Sequence, residues 1–323
     1  MTLPVFADFD TGVDDAVALV YLLASPDAEL VGIASTGGNV AVQQVCRNNL
    51  ALLELCGAAG VPVSKGADAP LNGPMHTAEN IHGPQGLGYA ELAPGTGRLT
   101  GHDAAQAWVR AARAHPGQLI GLVTGPLTNL ALALRAEPAL PTLLRRLVIM
   151  GGAFSGERSS RAEFNIGVDP EAAAEVLTAW AAVAPQRLPR VCGLDLTRHI
   201  AITPAILAQL PAPADSPVVR ALDDVLRFYF EAHEARGHGY LAYLHDPLAA
   251  AVALEPELIT TRPAAIRVEL APTAARGRTI PDWDAVRPNA LIGVGVDPAE
   301  FFDRFVQRVG AFARRLSATP DHS

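Results

Sequence analysis

The chain has 323 residues, half of them hydrophobic and only 18% charged, with a formal net charge of −8. That composition suits one large α/β domain or two smaller ones with an extensive core, and the acidic balance excludes nucleic acid as a partner, because phosphate contacts need clustered cations. No apolar run reaches the ~18 residues of a membrane span and the N-terminus enters a strand at once, so the expectation is a cytoplasmic protein with no signal peptide and no membrane partner.

In chain order, LPVFADF reads as a buried strand, and DDAVALVYLLASP as a helix with apolar side chains at helical spacing that stops before Pro26. Four carboxylates, Asp8, Asp10, Asp14 and Asp15, fall within the eight residues DFDTGVDD at this junction. The junction is the carboxyl end of a strand, where open α/β sheets bind ligands. Crowded carboxylates repel by roughly 4 kcal/mol per close pair at an effective dielectric near 20, and a divalent cation removes that cost. Oxygen ligands without nearby Cys or His favour Ca²⁺ or Mg²⁺ over Zn²⁺. Helix capping by Asp14 and Asp15 is the plainer reading, but a cap needs one carboxylate.

The alternation continues. ELVGIAST is a strand, Gly37 and Gly38 form a turn, and VAVQQVCRNNLALLELCG is a helix. VPVSKG, a long polar stretch to about Leu99, the helix HDAAQAWVRAARAH, the strand QLIGLVTG and the segment PLTNLALALRAEP follow. Next come the strand RLVIMGG, a polar loop to Asn165, the helix DPEAAAEVLTAW and the strand RVCGLDLT. This predicts an α/β fold: a mostly parallel central sheet flanked by helices, a Rossmann-like open sheet with its loops gathered on one edge. Past Thr203 the pattern is mainly helical to about Leu254, read as a helical insertion in a single domain spanning 1–316. IRVEL, ALIGVGV and a terminal helix close that domain, and 317–323 is read as a flexible C-terminal tail. The polar stretches 67–99 and 154–165 are of the kind that often form active-site lids. Cys46, Cys56 and Cys192 follow no disulfide or zinc spacing and read as buried thiols.

Several strand ends finish in ligand-type residues: Asp10 after the first, Asn39 after the second and Thr124 after the fourth. Glu163 and Asn165 stand in the loop after MGG, and His245-Asp246 opens a late helix. Together with DFDTGVDDA, the segments TGGN, TGPLTN, MGG, AEFN, DPEAA and LHDP resemble the nucleoside hydrolase family, the inosine–uridine-preferring N-ribohydrolases, in order and with similar spacing from about residue 3 to about residue 311.

The resemblance implies a single nucleoside hydrolase domain that cleaves the N-glycosidic bond of purine and/or pyrimidine ribonucleosides to ribose and free base. It implies Ca²⁺ held by the residues at the positions of Asp10, Asp15 and Asp246 and by the main-chain carbonyl of Thr124, with Asp10 as the base that deprotonates a calcium-bound water attacking C1′. Asp14, Asn39, Glu163 and Asn165 are implied to grip the sugar hydroxyls, Asp246 to touch both sugar and metal, and His245 to protonate the leaving base. His82, in NIHGPQGLG, matches a loop that closes over the nucleobase, and His238 and Tyr240 are further candidates for that pocket. A homodimer or homotetramer is implied as well.

These residue types suit the chemistry. Carboxylates stabilise an oxocarbenium-like sugar, a metal supplies a nucleophile near neutral pH, and a positioned acid contributes about 10²–10⁴-fold to the departure of a poor anion. Individually, Asp246 before Pro247 also fits a helix cap, as does Asp169 before Pro170, which is assigned no chemistry. Two departures from the family pattern stand out. Glu157, in Gly156-Glu157-Arg158, occupies the place of an asparagine expected to bind the 5′-hydroxyl, and Thr11 stands where proline is usual.

The alternatives are a non-catalytic nucleoside or ribose binder, supported by Glu157 alone, and a haloacid-dehalogenase-type phosphatase suggested by DFD. The second lacks the expected Thr or Val at Gly12, and the only lysine, Lys65, is out of context. No GxGxxG follows the first strand, which excludes a dinucleotide-binding dehydrogenase. Nucleobase preference stays open at this level.

Overall fold

The computed structural model describes residues 2–155, 160–213 and 216–318. From the N-terminus run β1 (Leu3–Phe9), α1 (Val13–Ala24), β2 (Ala28–Ser35), α2 (Val42–Leu55), β3 (Val63–Lys65), the short α3 (Glu79–His82), α4 (Ala104–Ala114) and β4 (Ile120–Val123). Then come α5 (Thr128–Ala136), α6 (Leu140–Leu143), β5 (Arg146–Met150), α7 (Phe164–Val168), α8 (Pro170–Trp180), β6 (Arg190–Cys192), α9 (Leu194–Thr197), β7 (Ala201–Ile202) and α10 (Pro204–Leu207). The chain ends through α11 (Pro217–Glu234), β8 (Ala242–Tyr243), α12 (His245–Leu254), β9 (Ile259–Val268), β10 (Thr279–Asp282), β11 (Ala290–Val296) and α13 (Pro298–Ala318).

Nine strands form one sheet in the order β10-β9-β11-β6-β5-β4-β1-β2-β3. All pairs from β3 to β11 are parallel, and only the β11–β9 and β9–β10 pairs are antiparallel. The expected α/β architecture with a mostly parallel sheet is therefore present. The side-chain period of two sorts β1 between two cores: Val5, Ala7 and Phe9 pack with α1, α11, α12 and α13, whereas Phe6 points the other way, into the layer of α4, α5 and α8. α1 and α12 are buried along almost their whole length and pack on each other. The small residues Ala249, Ala250, Ala251 and Ala253 permit that close approach.

The helical insertion is α10 to α12, joined by a small antiparallel ribbon of β7 and β8 that the sequence did not suggest. β9 starts at Ile259, ahead of the expected IRVEL, with Pro263 inside it. Proline is tolerated because 259–264 ladders only with β11, leaving the other side open, while 265–268 ladders with β10. The last helix runs on through Ala318, two residues into the segment read as a flexible tail. Residues 319–323 lie outside the described chain. Among the described residues no helix is long and apolar enough to cross a membrane.

Candidate active site

The parallel strands deliver their ends to one edge, and the acidic turn stands there. Asp10, just past β1, is fully buried, and its Oδ2 accepts the backbone N–H of Asn39 at 2.9 Å. Its Oδ1 is buried with no hydrogen-bond partner. Gly38 and Gly125 make room for it: a Cβ on Gly38 would collide with the Asp10 carboxylate, and one on Gly125 would lie 2.9 Å from the Asp10 Cβ. Gly12 is required for a related reason, since a Cβ there would sit 2.6 Å from Asn39 Nδ2 and collide with His82 Nδ1.

Asp15 accepts from Gly12 N at 2.9 Å and Asn39 Nδ2 at 3.1 Å on Oδ2, and from Thr124 Oγ1 at 2.6 Å on Oδ1. Asp14, Asp15 and Asp246 each offer an oxygen within 4.8 Å of the others. Asp246 is the second residue of α12, whose cap position is Leu244, so helix capping does not account for it. Burial is the largest cause raising all four carboxyls, with the neighbouring carboxylates adding to it for Asp10, Asp14 and Asp246. Asp14 is pushed up to about 8, Asp10 and Asp246 rise well above the usual carboxylate range, and Asp15 rises too. An orphaned carboxylate oxygen beside three convergent carboxylates is an all-oxygen donor set that fits a hard divalent cation.

Asp8 does not join this set. It lies on the Phe6 face of β1, where it accepts from Trp108 Nε1 at 2.7 Å, from Asn129 Nδ2 at 3.0 Å and from the Thr36 hydroxyl. Burial, opposed by these three bonds, leaves its carboxyl raised to about 6. The run of four carboxylates in the sequence is therefore split in the fold, with Asp8 apart from the other three. Strand alternation explains it, because Asp8 follows Phe6 into the α4 and α5 layer.

Glu163 caps α7, and its carboxylate is held by the N–H groups of Asn165, Ile166 and Gly152 at 3.0, 3.1 and 3.0 Å. Asn165 donates through Nδ2 to the Thr124 carbonyl at 2.6 Å, and both residues line the same cavity. His82 closes the cavity from α3. Its Nδ1 accepts the Val13 N–H at 3.0 Å, so the ring is neutral with its proton on Nε2. Burial, reinforced by His233 and Arg236, pushes its pKa down to about 3. The 4.0 Å approach of Asp14 to His82 is consequently not an ion pair.

His245 is held through Nδ1 by Thr197 Oγ1 at 2.7 Å. Burial first, then Arg198, His233 and His82, push its pKa down to about 3 as well.

Asp14, Asn39, His82, Thr124, Glu163, Asn165, His245 and Asp246 all line one cavity of about 250 Å³, with Asp10 and Asp15 buried beneath it. His238 joins that lining. Tyr240 instead is 41% exposed and packs on Phe230. The Glu157 position lies outside the described residues. Asp169 caps α8 through Ala172 N and ties in Leu71 N and Thr128, a structural role.

Sequence reasoning missed the far wall, made by Arg198, Tyr229, His233, Arg236 and Tyr243. Tyr229 and His233 do leave a trace. They continue the apolar stripe Leu222, Val225, Leu226 of α11, where polar side chains on a buried face call for a partner or a ligand.

A model of the family described as inosine-uridine preferring nucleoside hydrolase matches residues 5–303. The chain is 35% identical over 320 residues to the pyrimidine-specific ribonucleoside hydrolase RihA of Enterobacter sp. (strain 638), covering 98% of this chain and 100% of that one. It is also 35% identical over 318 residues to RihA of Salmonella paratyphi B, covering 97% and 100%. Among solved structures, the purine-preferring ribonucleoside hydrolase from Gardnerella vaginalis superposes with a TM-score of 0.88 at 33% identity, covering 97% of this chain and 99% of that one. The plant nucleoside hydrolase PpNRh1 gives 0.86 at 29%, covering 96% and 100%.

Proposed function

The chain belongs to the inosine-uridine preferring nucleoside hydrolase family and is a ribonucleoside hydrolase, and we propose that it works as a calcium-dependent N-ribohydrolase in which Asp10 is the base and His245 the acid. The observation that supports this reading best is the convergence of sugar-type ligands and one histidine-rich wall on a single cavity above buried carboxylates.

Asp10, Asp15, Asp246 and the Thr124 carbonyl would hold the cation, and Asp14 is close enough to join them. Bound there, Ca²⁺ supplies Lewis acidity that makes water a competent nucleophile near neutral pH. Asp10 takes the proton of the attacking water on its unpartnered Oδ1. Asp14, Asn39, Glu163 and Asn165 hold the ribose hydroxyls, and the negative field of the cluster favours an oxocarbenium-like sugar. On the opposite wall His245 delivers a proton to the departing base, with His82 and the α11 histidine lining the space the base enters. By its place in the sequence, where the family pattern has an asparagine for the 5′-hydroxyl, Glu157 is proposed as a further substrate residue.

The competing phosphatase reading needs Asp8 as a free nucleophile, and Asp8 is consumed by Trp108, Asn129 and Thr36. Relatives named for pyrimidine specificity and for purine preference are about equally similar, so both base classes stay within the proposal. Initial rates on inosine, uridine, cytidine and adenosine with reducing-sugar detection test it. No sugar release from any of the four by calcium-loaded protein favours the non-catalytic binder instead. The reading also carries a cytoplasmic homodimer or homotetramer, which light scattering and cell fractionation check.

A further inference from the structure

Thr11 stands between two groups that define the carboxylate site. On one side is Asp10. On the other is Gly12, whose N–H donates to Asp15 Oδ2 at 2.9 Å. Any rotation of this turn swings the Asp10 carboxylate and the Gly12 donor together, so whatever fixes Thr11 fixes the spacing of two proposed ligands. A proline would do so covalently, by locking φ near −65°. Threonine has no such lock.

The structure supplies a substitute from α2. Thr11 Oγ1 donates to Asn49 Oδ1 at 2.6 Å, and Asn49 Nδ2 donates in turn to Ser35 Oγ at 3.1 Å, at the end of β2. All three residues are fully buried. The neighbouring Asn48 takes the other polar group of the turn, donating to the Thr11 carbonyl at 3.1 Å and to the Gln85 carbonyl at 2.8 Å. Gly86, at φ +83°, lets the loop after His82 close on this bridge, since a Cβ there would lie 3.0 Å from Asn48 Nδ2 and 3.1 Å from the Thr11 carbonyl oxygen. Two adjacent buried asparagines on a helix are costly unless satisfied, and each of these places one of its bonds on Thr11.

We propose that Asn49 is a positioning residue that, through the Thr11 hydroxyl, replaces the missing ring constraint and holds the Asp10–Thr11–Gly12 turn in the geometry that binds the divalent cation. The inference rests on the calcium reading above. The Thr11–Asn49–Ser35 chain never touches substrate, and it acts through where Asp10 and Asp15 point. Asn48 holds the carbonyl side of the turn whether residue 11 is threonine or proline.

The test is calcium affinity by isothermal titration of the whole chain, with folding of each metal-free variant checked by circular dichroism. Asn49→Leu leaves the Thr11 hydroxyl buried without an acceptor and should weaken Ca²⁺ binding at least ~10-fold. Thr11→Pro in the Asn49→Leu background restores the constraint and should bring affinity back to within ~3-fold of the parent, a strongly non-additive pair.

Should Asn49→Leu not fold, the isosteric Thr11→Val should show the same loss while Thr11→Ser, which keeps the hydroxyl, binds like the parent. Parent-like affinity in both Asn49→Leu and Thr11→Val, or a double variant as weak as the sum of its singles, overturns the proposal. A parent chain that binds no Ca²⁺ at all instead overturns the calcium reading, and this inference with it.

Discussion

Asp14 and Asp246 bring carboxylate oxygens within 4.8 Å of each other in a buried cluster, a proximity that favours keeping a proton on the pair. Burial raises both, with Asp15 next for Asp14 and Asp14 itself next for Asp246, and Asp14 reaches about 8. A cation held here must displace that proton, so binding is linked to proton release. Calcium affinity should therefore climb with pH through the Asp14 value of about 8. Titrations in buffers of different ionisation enthalpy count the protons. A dissociation constant flat from pH 6 to 9, with no proton released, would take Asp14 and Asp246 out of the metal set.

The same groups set the stability of the metal-free protein. Carboxyls whose pKa is raised on folding bind more protons in the native state, so they favour folding at low pH and that contribution is lost as pH rises toward about 8. His82 and His245, both pushed down to about 3, act oppositely: the unfolded chain takes up their protons below about 6.5, so their penalty is absent above that pH. Between pH 6.5 and 8 only the carboxyl effect operates. Thermal melts in chelator should show a falling Tm across that window, and saturating Ca²⁺ should flatten or reverse it. A metal-free Tm that rises over the window contradicts the assignment.

Asp8 separates structure from metal binding. Asp8→Leu strands Trp108 Nε1 and the Thr36 hydroxyl in a dry layer, while Asn129 Nδ2 keeps the Ser35 carbonyl and Thr36 Oγ1, an expected cost of about 2–4 kcal/mol from two unmet donors. Denaturant unfolding should show that loss while the folded variant keeps a calcium affinity within a few-fold of the parent. Loss of calcium binding in a well-folded Asp8→Leu protein would return Asp8 to the site.

The contrast between Asp8 and Asp10 marks what the sequence discloses and what it withholds. Strand and helix periods, with the acid at their junction, place Asp10, Asp14 and Asp15 at the end of β1, and the order of the remaining motifs places Asn39, Thr124, Glu163, Asn165 and Asp246 beside them. Asn39 and Thr124 follow the ends of β2 and β4, so topology gathers them, whereas Glu163 and Asn165 arrive at the start of α7 and Asp246 at the start of α12. The wall from α11 is another matter: Tyr229 and His233 sit on an ordinary amphipathic stripe, and only the packing of that helix over α3 turns them toward the cavity. β10 was invisible for a similar reason, since a short antiparallel edge strand containing Pro281 carries no run of apolar residues.

Sugar recognition follows from the polar cradle. Asp14, Asn39, Glu163 and Asn165 are all nearly buried, so a ligand lacking a hydroxyl leaves one of them unpaired. Uridine should be cleaved at least ~100-fold faster than 2′-deoxyuridine, the equivalent of ~2.7 kcal/mol in the transition state. Equal kcat/KM for the two nucleosides would remove these residues from the ribose site.

Leaving-group protonation separates an enzyme from a binder most sharply. His245 is neutral at working pH with Nδ1 hydrogen-bonded to Thr197 Oγ1, and its proposed role as acid requires the tautomer in which Thr197 donates and Nε2 carries the proton. His245→Ala should slow natural nucleosides by about 10²–10⁴-fold. A p-nitrophenyl riboside, whose leaving group departs as a stable anion, should lose far less. Faults in folding or metal binding slow both substrates alike, so the ratio isolates proton transfer. An equal loss on both substrates in a folded, calcium-loaded variant would make His245 structural. His82, whose Nδ1 is committed to the Val13 N–H and whose Nε2 carries the proton, would then be the next residue to substitute.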